Sequence, residues 1–576
     1  MSVSVPRKAR WGYTHLVMWW KKRGHKRHQE IDPDEILIDS KNVSEFDTDQ
    51  FEGRIERPLS RRSLALAGAA LAFLALMLLL RAGDLQVVHG TAYAKQAREN
   101  QLENKVLFAD RGLIEDRTGR LLAWNDHAEA TNDFAARVYA TYRGVGHALG
   151  YAKAPAKDSA GFYFRDTFEG VDGAEKAFDA VLRGQNGVTL TETDARGKVV
   201  SQAAVQAPVQ GQKLVLSIDA QVSQGLYDIL ATHARDARAQ GAAGVVMDVR
   251  TGELLALTSY PEYSSAALAG GDAAAINSYN ADKHLPFLNR ATDGLYAPGS
   301  IIKPLVATAA LAEGVIDEYK QILSTGQLVV QNPYDPEKPT IFKDWRVNGW
   351  TDARRAIAVS SDIYFYQVGG GFESQPGLGI ARIDEYLKLF GFGSDAGLAG
   401  YSEVGGTIPT PEWKAANFPD DPMWRVGNTY HTAIGQYGTL VTPLQAARMV
   451  AAIANGGTLL IPSLIASSTP QSKTVPIDAH ALQVAREGMR LSVTDGIATA
   501  VNLPFVHVAA KTGTAQVGAR NENQNAWMVG FWPYENPHYA YAVVLEKMPA
   551  GTQIGGSVVM SDFFNYLFIN APQYLE

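Results

Sequence analysis

The sequence predicts an α+β fold: a sheet whose first and last strands bracket a helical insert, preceded by one membrane-spanning helix and an elongated β-rich module. Three observations carry that expectation. Ala242 to Tyr260 reads as strand, turn (Arg250-Thr-Gly-Glu253) and strand, and Val506 to Thr514, Ala526 to Trp532 and His538 to Glu546 read as closing strands. Between them lie a helix starting at Ser300, a long helix at 351–370 and an alanine-rich helix from Pro443 to Asn455. Far upstream, Ser63 to Leu80 contains no charged residue, an eighteen-residue run just long enough to cross a bilayer core of roughly 30 Å.

With 576 residues, 46% hydrophobic content and a net charge of only -7, the chain holds core material for two or more domains and no bulk charge that suggests a nucleic-acid partner. It has no cysteine, which excludes disulfides, thiolate metal sites and a cysteine nucleophile. Residues 1–62 are polar and uneven: a basic aromatic patch (Trp19, Trp20, Lys21, Lys22, Arg23, Lys26, Arg27) precedes an acidic stretch from Glu30 to Glu52. This reads as a disordered tail whose patch is either a contact with an anionic membrane surface or a solvated charge run.

The apolar run defines an anchor over 63–84. A cleaved signal peptide is the rival reading, but the run starts deep in the chain and continues past Arg81-Ala-Gly-Asp84 as helix. The basic cluster at 21–27 weights the N-terminal side, so the tail is expected inside and the bulk outside.

Residues 85–235 come next. Ala109 to Ala123 reads as two short strands about a turn at Arg117-Thr-Gly119, and Gly187 to Asp219 holds strands at 187–192 and 212–218. A flexible tether would be rich in Gly, Ser or Pro. Apolar strands instead predict a folded pedestal without a catalytic constellation, carrying contacts to a membrane partner that charge reversal near Arg111 and Glu175 would impair. Residues 236–576 then form the domain that carries the chemistry.

The chemistry centres on Tyr296-Ala-Pro-Gly-Ser-Ile-Ile-Lys-Pro-Leu305, in which Pro298 and Gly299 deliver Ser300 to the start of a buried helix. Residues three apart share a helix face, so Lys303 is expected over the Ser300 hydroxyl, with first-turn N–H groups aimed at any anion formed there. A serine becomes a nucleophile when an adjacent base takes its proton, and a lysine serves if burial and cationic neighbours keep it neutral. This is the only Ser-x-x-Lys in the chain.

Ser300-Ile-Ile-Lys303, Ser360-Ser361-Asp362 and Lys511-Thr-Gly-Thr514 together resemble the three ordered motifs of penicillin-binding transpeptidases and serine β-lactamases. Pro286-Phe-Leu-Asn-Arg290, Tyr364-Phe-Tyr-Gln367, Ala433-Ile-Gly-Gln436 and Thr442-Pro-Leu-Gln445, with Asp110-Arg-Gly112 and Gly173-Ala-Glu175 upstream, resemble class B penicillin-binding proteins. Aspartate rather than asparagine in the second motif looks most like the elongation-type branch. Departures are a short interval between Asp110-Arg-Gly112 and His147, Ala510 where glycine often stands, and Ala297 where proline is usual.

The resemblance implies a transpeptidase fold with an antiparallel sheet, cross-linking of peptidoglycan stem peptides, and covalent inhibition by β-lactam antibiotics. It implies Ser300 as nucleophile, Lys303 as general base, Ser360 as proton relay between Lys303 and Lys511, and the N–H groups of Ser300 and Thr514 as oxyanion hole. Lys511, Thr512, Gly513 and Thr514 would hold the substrate carboxylate, and the Lys511 charge would favour a neutral Lys303. No cofactor and no metal is expected, since without a cysteine the zinc site of some elongation-type relatives is not assumed; the resemblance implies a bacterial inner-membrane location with the catalytic part outside, and a multi-span glycan polymerase of the elongation system as partner. Asp362 either orients Lys303 or the substrate amide, or pairs with Arg354 or Arg355. A carboxypeptidase or β-lactamase, for which Glu412 and Asn417 are one residue too far apart to form the Glu-x-x-x-Asn loop of one lactamase group, stays open, as does a β-lactam receptor or scaffold.

Overall fold

The computed structural model describes residues 61–93, 102–128, 133–193, 199–332, 335 and 337–576, so the tail expected over 1–62 lies, apart from Arg61 and Arg62, outside the described residues. The chain divides after Arg98 into two units. In the first, helix α1 (Arg61–Gly83) runs on through a π-helical turn at Asp84–Val88, and Arg81 pairs with Asp84 at 2.6 Å. Leu64–Val88 is long and apolar enough to cross a membrane, and its large side chains, such as Leu71, Phe73 and Leu79, are exposed.

The second unit opens with two small sheets. Leu102–Leu107, Gly187–Thr193 and Val199–Gln206 form one, antiparallel, and Val199–Gln206 is a strand the sequence reading leaves unassigned. Ile114–Glu115, Leu121–Asp126, Ala136–Tyr139 and Leu214–Val215 form the other, with the hairpin turning at 117–119 as expected. The strand expected at 212–218 contracts to Leu214–Val215: the Leu216 N–H still donates to the Glu115 carbonyl at 2.8 Å, but the Ser217 N–H turns to the Leu464 carbonyl at 2.9 Å and the Val215 carbonyl accepts from Ala466 at 3.1 Å.

Charge reinforces this packing. Arg111 and Glu175 are fully buried and paired at 2.5 Å; Glu175 also takes Arg137 at 2.8 Å and the Tyr139 hydroxyl at 3.1 Å, and Arg111 reaches Asp179 at 2.8 Å. These are interior ion pairs, so reversing either charge breaks the fold locally rather than altering a surface contact, which corrects the sequence-based expectation for these two positions.

Helix α2 (Ala220–Asp236) is capped by Asp219, whose side chain accepts from the N–H groups of Gln221 and Val222, as the orphan first-turn donors require. Strands β1 (Gly241–Asp248) and β2 (Leu254–Tyr260) follow. A 3-10 turn, Gly299–Ile302, leads into α3 (Lys303–Ala312). The single helix expected at 351–370 is two, α4 (Ala353–Val359) and α5 (Asp362–Gly370). Ser360 between them is left-handed, φ 56° and ψ 44°, and the Ser361 hydroxyl caps α5. Helix α6 (Pro443–Ala454) is buried along its whole length, and α7 (Ala479–Asp495) packs on α4.

Strands β3 (Ala509–Val517), β4 (Asn523–Trp532) and β5 (Tyr539–Pro549) complete a five-stranded antiparallel sheet in the order β2-β1-β5-β4-β3. On one face α2 and the final helix α8 (Gly556–Asn570) bury Val222, Leu226, Leu230, Phe563, Phe564 and Leu567, and α6 covers the other. Covered on both faces, β1 is buried at every position and reads as a continuous apolar run rather than an alternating one. This sandwich leaves β3 as an edge strand beside the turn that carries Ser300.

Candidate active site

The nucleophile turn is fixed from three sides. Tyr296 and Val441 exchange backbone hydrogen bonds of 3.0 and 2.9 Å, Gly299 N–H donates to the Gly435 carbonyl at 2.9 Å, and the Trp527 indole N–H donates to the Ala297 carbonyl at 2.9 Å. Gly299 has φ +56°, which suits glycine at the bend. Ile301 and Ile302 are buried while Ser300 stays partly exposed, so the turn holds its serine at a cleft mouth. In a 3-10 turn positions i and i+3 eclipse, which keeps Ser300 and Lys303 on one face.

Lys303 is fully buried, and its ammonium donates to the Ser360 carbonyl at 2.9 Å, the Ser360 hydroxyl at 3.2 Å and Asp362 Oδ1 at 2.6 Å. Among the described residues no hydrogen bond joins it to Ser300, although the turn keeps both on one face. The α4–α5 corner supplies a carboxylate and a carbonyl, and a charge-assisted bond outcompetes one to a neutral hydroxyl. Arg354 pairs with Glu318 at 2.6 Å and Glu487 at 2.5 Å, and Arg355 with Asp495 at 2.7 Å, so the Asp362 bond is to Lys303.

Lys511, also fully buried, donates to the Ser360 hydroxyl and to the Thr512 carbonyl, both at 2.8 Å. Ser360 Oγ therefore sits between two lysines. Burial, helped by the charge of Lys303 and opposed by Asp362, pushes Lys511 well below the usual lysine range. Among the described residues Lys303 has a carboxylate among its hydrogen-bond partners and Lys511 has none.

Ser300, Ser360, Asp362, Thr512, Gly513 and Thr514 line one cleft of about 700 Å³. Gly513 is required by contact rather than by torsion, since a Cβ there would stand 2.8 Å from Ile301 Cγ2 and 2.9 Å from the Pro298 carbonyl. The strand can approach the nucleophile turn only without a side chain. Trp345, Gln524 and Gln553, which the sequence reading does not single out, complete the walls. The Trp345 indole N–H donates to the Ser360 carbonyl at 3.3 Å, and Gln524 donates to the Thr552 carbonyl at 2.9 Å. Apart from an aromatic in the polar run Lys343-Asp-Trp-Arg346, nothing in the sequence marks them, because the fold alone brings their elements together.

Fold and motif geometry define a serine-centred penicillin-binding transpeptidase fold. Residues 242–564 match the penicillin binding protein transpeptidase domain and 130–216 the penicillin-binding protein dimerisation domain. The chain belongs to this family, as a class B penicillin-binding protein. It is 32% identical over 416 residues to peptidoglycan D,D-transpeptidase MrdA of Escherichia coli K12, an alignment spanning 66% of this chain and 62% of that protein, less than two thirds of the relative's length. The complex between Penicillin-Binding Protein (PBP2) and MreC from Helicobacter pylori contains a chain that superposes with a TM-score of 0.67 at 26% identity, over 82% of this chain and 99% of that one. A peptidoglycan synthase complex, solved for the coordination of polymerization and crosslinking, contains a chain that superposes with a TM-score of 0.67 at 27% identity, over 88% of this chain and 97% of that one.

Proposed function

We propose that this chain is a peptidoglycan D,D-transpeptidase of the elongation type, inactivated by β-lactams. The observation that carries the proposal is the Ser360 hydroxyl held by both Lys303 and Lys511 beside the Ser300 turn and the open edge of β3. Ser300 Oγ attacks the carbonyl of the penultimate D-alanine of a stem peptide, and its proton passes to Lys303. The tetrahedral oxyanion is held by the N–H groups of Ser300 and Thr514, each worth roughly 3 to 4 kcal/mol in acyl-transfer sites. Collapse breaks the amide, Ser360 relays a proton to the departing D-alanine amine, and a Ser300 ester remains. An amine of a neighbouring stem peptide then attacks the ester, gives up a proton along the same route and restores Ser300. Lys511, Thr512 and Thr514 hold the donor carboxylate along β3, with Gly513 allowing the close approach; Asp362 orients Lys303.

Among the described residues lining the cleft, Asp362 is the only carboxylate, and it is engaged by Lys303. Glu412 and Asn417 lie on a separate helix, Pro411–Asn417, and neither lines the cleft. This favours transfer to an amine over activation of water.

The proposal extends to the whole chain: residues 1–62 cytoplasmic, 63–84 spanning the inner membrane, 85–235 a pedestal and 236–576 the transpeptidase domain on the periplasmic side, working with a multi-span glycan polymerase. Labelled penicillin tests the core of it. The full-length protein is expected to form a long-lived adduct, and Ser300→Ala to abolish labelling while the protein stays folded. Lys303→Ala is expected to lose nearly as much, with the double variant no worse, because the pair acts as a unit. Unchanged labelling of Ser300→Ala refutes the function, and rapid loss of the adduct identifies a hydrolase.

A further inference from the structure

We infer that Asp344 is a positioning residue for this reaction: by holding the corner between α4 and α5 it keeps the Ser360 hydroxyl between the two lysines. The inference rests on the function proposed above.

The corner needs such a holder. A residue with a Cβ in the left-handed region costs on the order of 1 kcal/mol or more, and such a conformation persists where its surroundings over-determine it. The local backbone supplies few bonds: the Ser360 N–H reaches the Ala356 and Ile357 carbonyls, the latter at 3.3 Å, and the Ser361 N–H donates to the Ala356 carbonyl at 3.0 Å. The rest arrives from a different part of the chain. Strands Gln327–Val330 and Thr340–Lys343 form a hairpin, and Asp344 follows directly, anchored by its N–H to the Gly326 carbonyl at 2.9 Å.

From there one carboxylate oxygen, Asp344 Oδ2, accepts from the hydroxyl of Ser361, the cap of α5, at 2.9 Å and from the Ile363 N–H in its first turn at 3.2 Å. The same oxygen accepts from the Ser324 hydroxyl at 3.0 Å and the Asn348 amide at 3.2 Å, which tie it back to the hairpin side. Oδ1 accepts the Trp345 N–H at 2.8 Å, which sets the indole to donate to the Ser360 carbonyl. A carboxylate over free N–H groups at a helix start is also favoured by the helix dipole.

The consequence reaches the chemistry through α5. Among the described residues Ser360 and Asp362 provide every acceptor of the Lys303 ammonium, and Ser360 provides one of the two for Lys511. Loosening the first turn of α5 displaces all of these together, although Asp344 touches neither Ser300 nor the cleft. A misplacement of about 1 Å at a catalytic group costs on the order of 100-fold in rate.

The test uses the full-length protein in detergent, the rate constant for acylation by a fluorescent penicillin across pH, and the unfolding temperature. Asp344→Ala is expected to slow acylation by about 100-fold. Asp344→Asn, which keeps one acceptor oxygen, is expected to recover most of the rate. In Asp344→Ala the ascending limb of the pH profile moves to lower pH, because the ammonium forms lose oxygens that favour them. Trp345→Phe, which removes the bond to the Ser360 carbonyl and also trims the cleft wall, is expected to displace the limb in the same direction by less, the limb and not the rate being the readout for this variant. Wild-type rate and limb in Asp344→Ala overturn the inference. So does a loss that tracks a fall in unfolding temperature, with an unmoved limb and no recovery in Asp344→Asn. If Asp344→Ala does not fold, Asp344→Asn and Trp345→Phe decide, and wild-type behaviour in both overturns it. A wild-type protein that takes no label refutes the proposed function instead.

Discussion

Gly513→Ala is the sharpest probe of how the edge strand meets the nucleophile. The added methyl would sit 2.8 Å from Ile301 Cγ2, 2.9 Å from the Pro298 carbonyl oxygen and 3.3 Å from Ile301 N. Comfortable contact is about 3.5 Å or more, so strand and turn must part by roughly half an ångström. Two of the three atoms are backbone in a turn pinned by Gly435, Val441 and Trp527, so the turn cannot yield by rotating a side chain. Overpacking of this kind costs about 1–3 kcal/mol of stability. The larger effect is on rate: Thr512 and Thr514 move away from Ser300, and half of a 1 Å misplacement corresponds to about tenfold in acylation. Stopped-flow acylation of the purified variant by fluorescent penicillin, beside a thermal melt, measures both quantities. Acylation at the wild-type rate would refute the argument that strand-to-turn distance sets the chemistry.

Two further predictions concern the body of the protein. Glu175→Lys places a third cation against Arg111 and Arg137, leaving Arg137 without its carboxylate and Arg111 with Asp179 alone; breaking a buried pair typically costs about 3–5 kcal/mol, so a large drop in unfolding temperature is expected, and an unchanged melt would show that these charges are not paired inside. Burial raises the Glu262 carboxyl from 4.5 to about 7, against the Gly144 and Gly146 N–H groups and Arg143 that favour its anion and with Asp228 assisting. The folded protein thus holds this proton more tightly than the unfolded chain. The stabilisation is complete below about pH 4.5 and lost as pH rises through about 7. It amounts to at most about 3 kcal/mol. Glu262→Gln is expected to flatten the fall in unfolding temperature across that window, and an unaltered slope assigns the fall to another group.

The central sheet was legible because its signals are local. The Arg250-Thr-Gly-Glu253 turn divides β1 from β2, and apolar runs mark β4 and β5. The Ser300 turn was readable for the same reason, since Pro298-Gly299 punctuates a buried helix. The break at Ser360 was not. No glycine or proline marks it, and the left-handed turn is held by Asp344, sixteen residues away and on another hairpin. Lys303 shows the same limit: spacing places it on the face of Ser300, but its hydrogen bonds were decided by Asp362 and Ser360, whose nearness depends on how α3 and α5 pack. Arg111 and Glu175 were visible as motif residues, yet their burial was not, because a charged residue in sequence looks the same on a surface as in an interior ion pair.

Among the described residues strand β3 has one strand neighbour, and Thr512, Gly513 and Thr514 of this strand line the cleft. A ladder left open on one side recognises a backbone by its repeat, about 3.3 Å per residue, and is indifferent to most of what that backbone carries. The walls beside that edge include Trp345, Gln524 and Gln553, which differ in chemistry from the backbone ladder. Such an edge is also where two copies of a protein could stitch together sheet to sheet. Here the turn that presents Ser300 presses against Gly513 closely enough to exclude even a methyl group. The element that displays the reactive serine is thereby held against the strand that borders the cleft, at a distance set by the missing side chain.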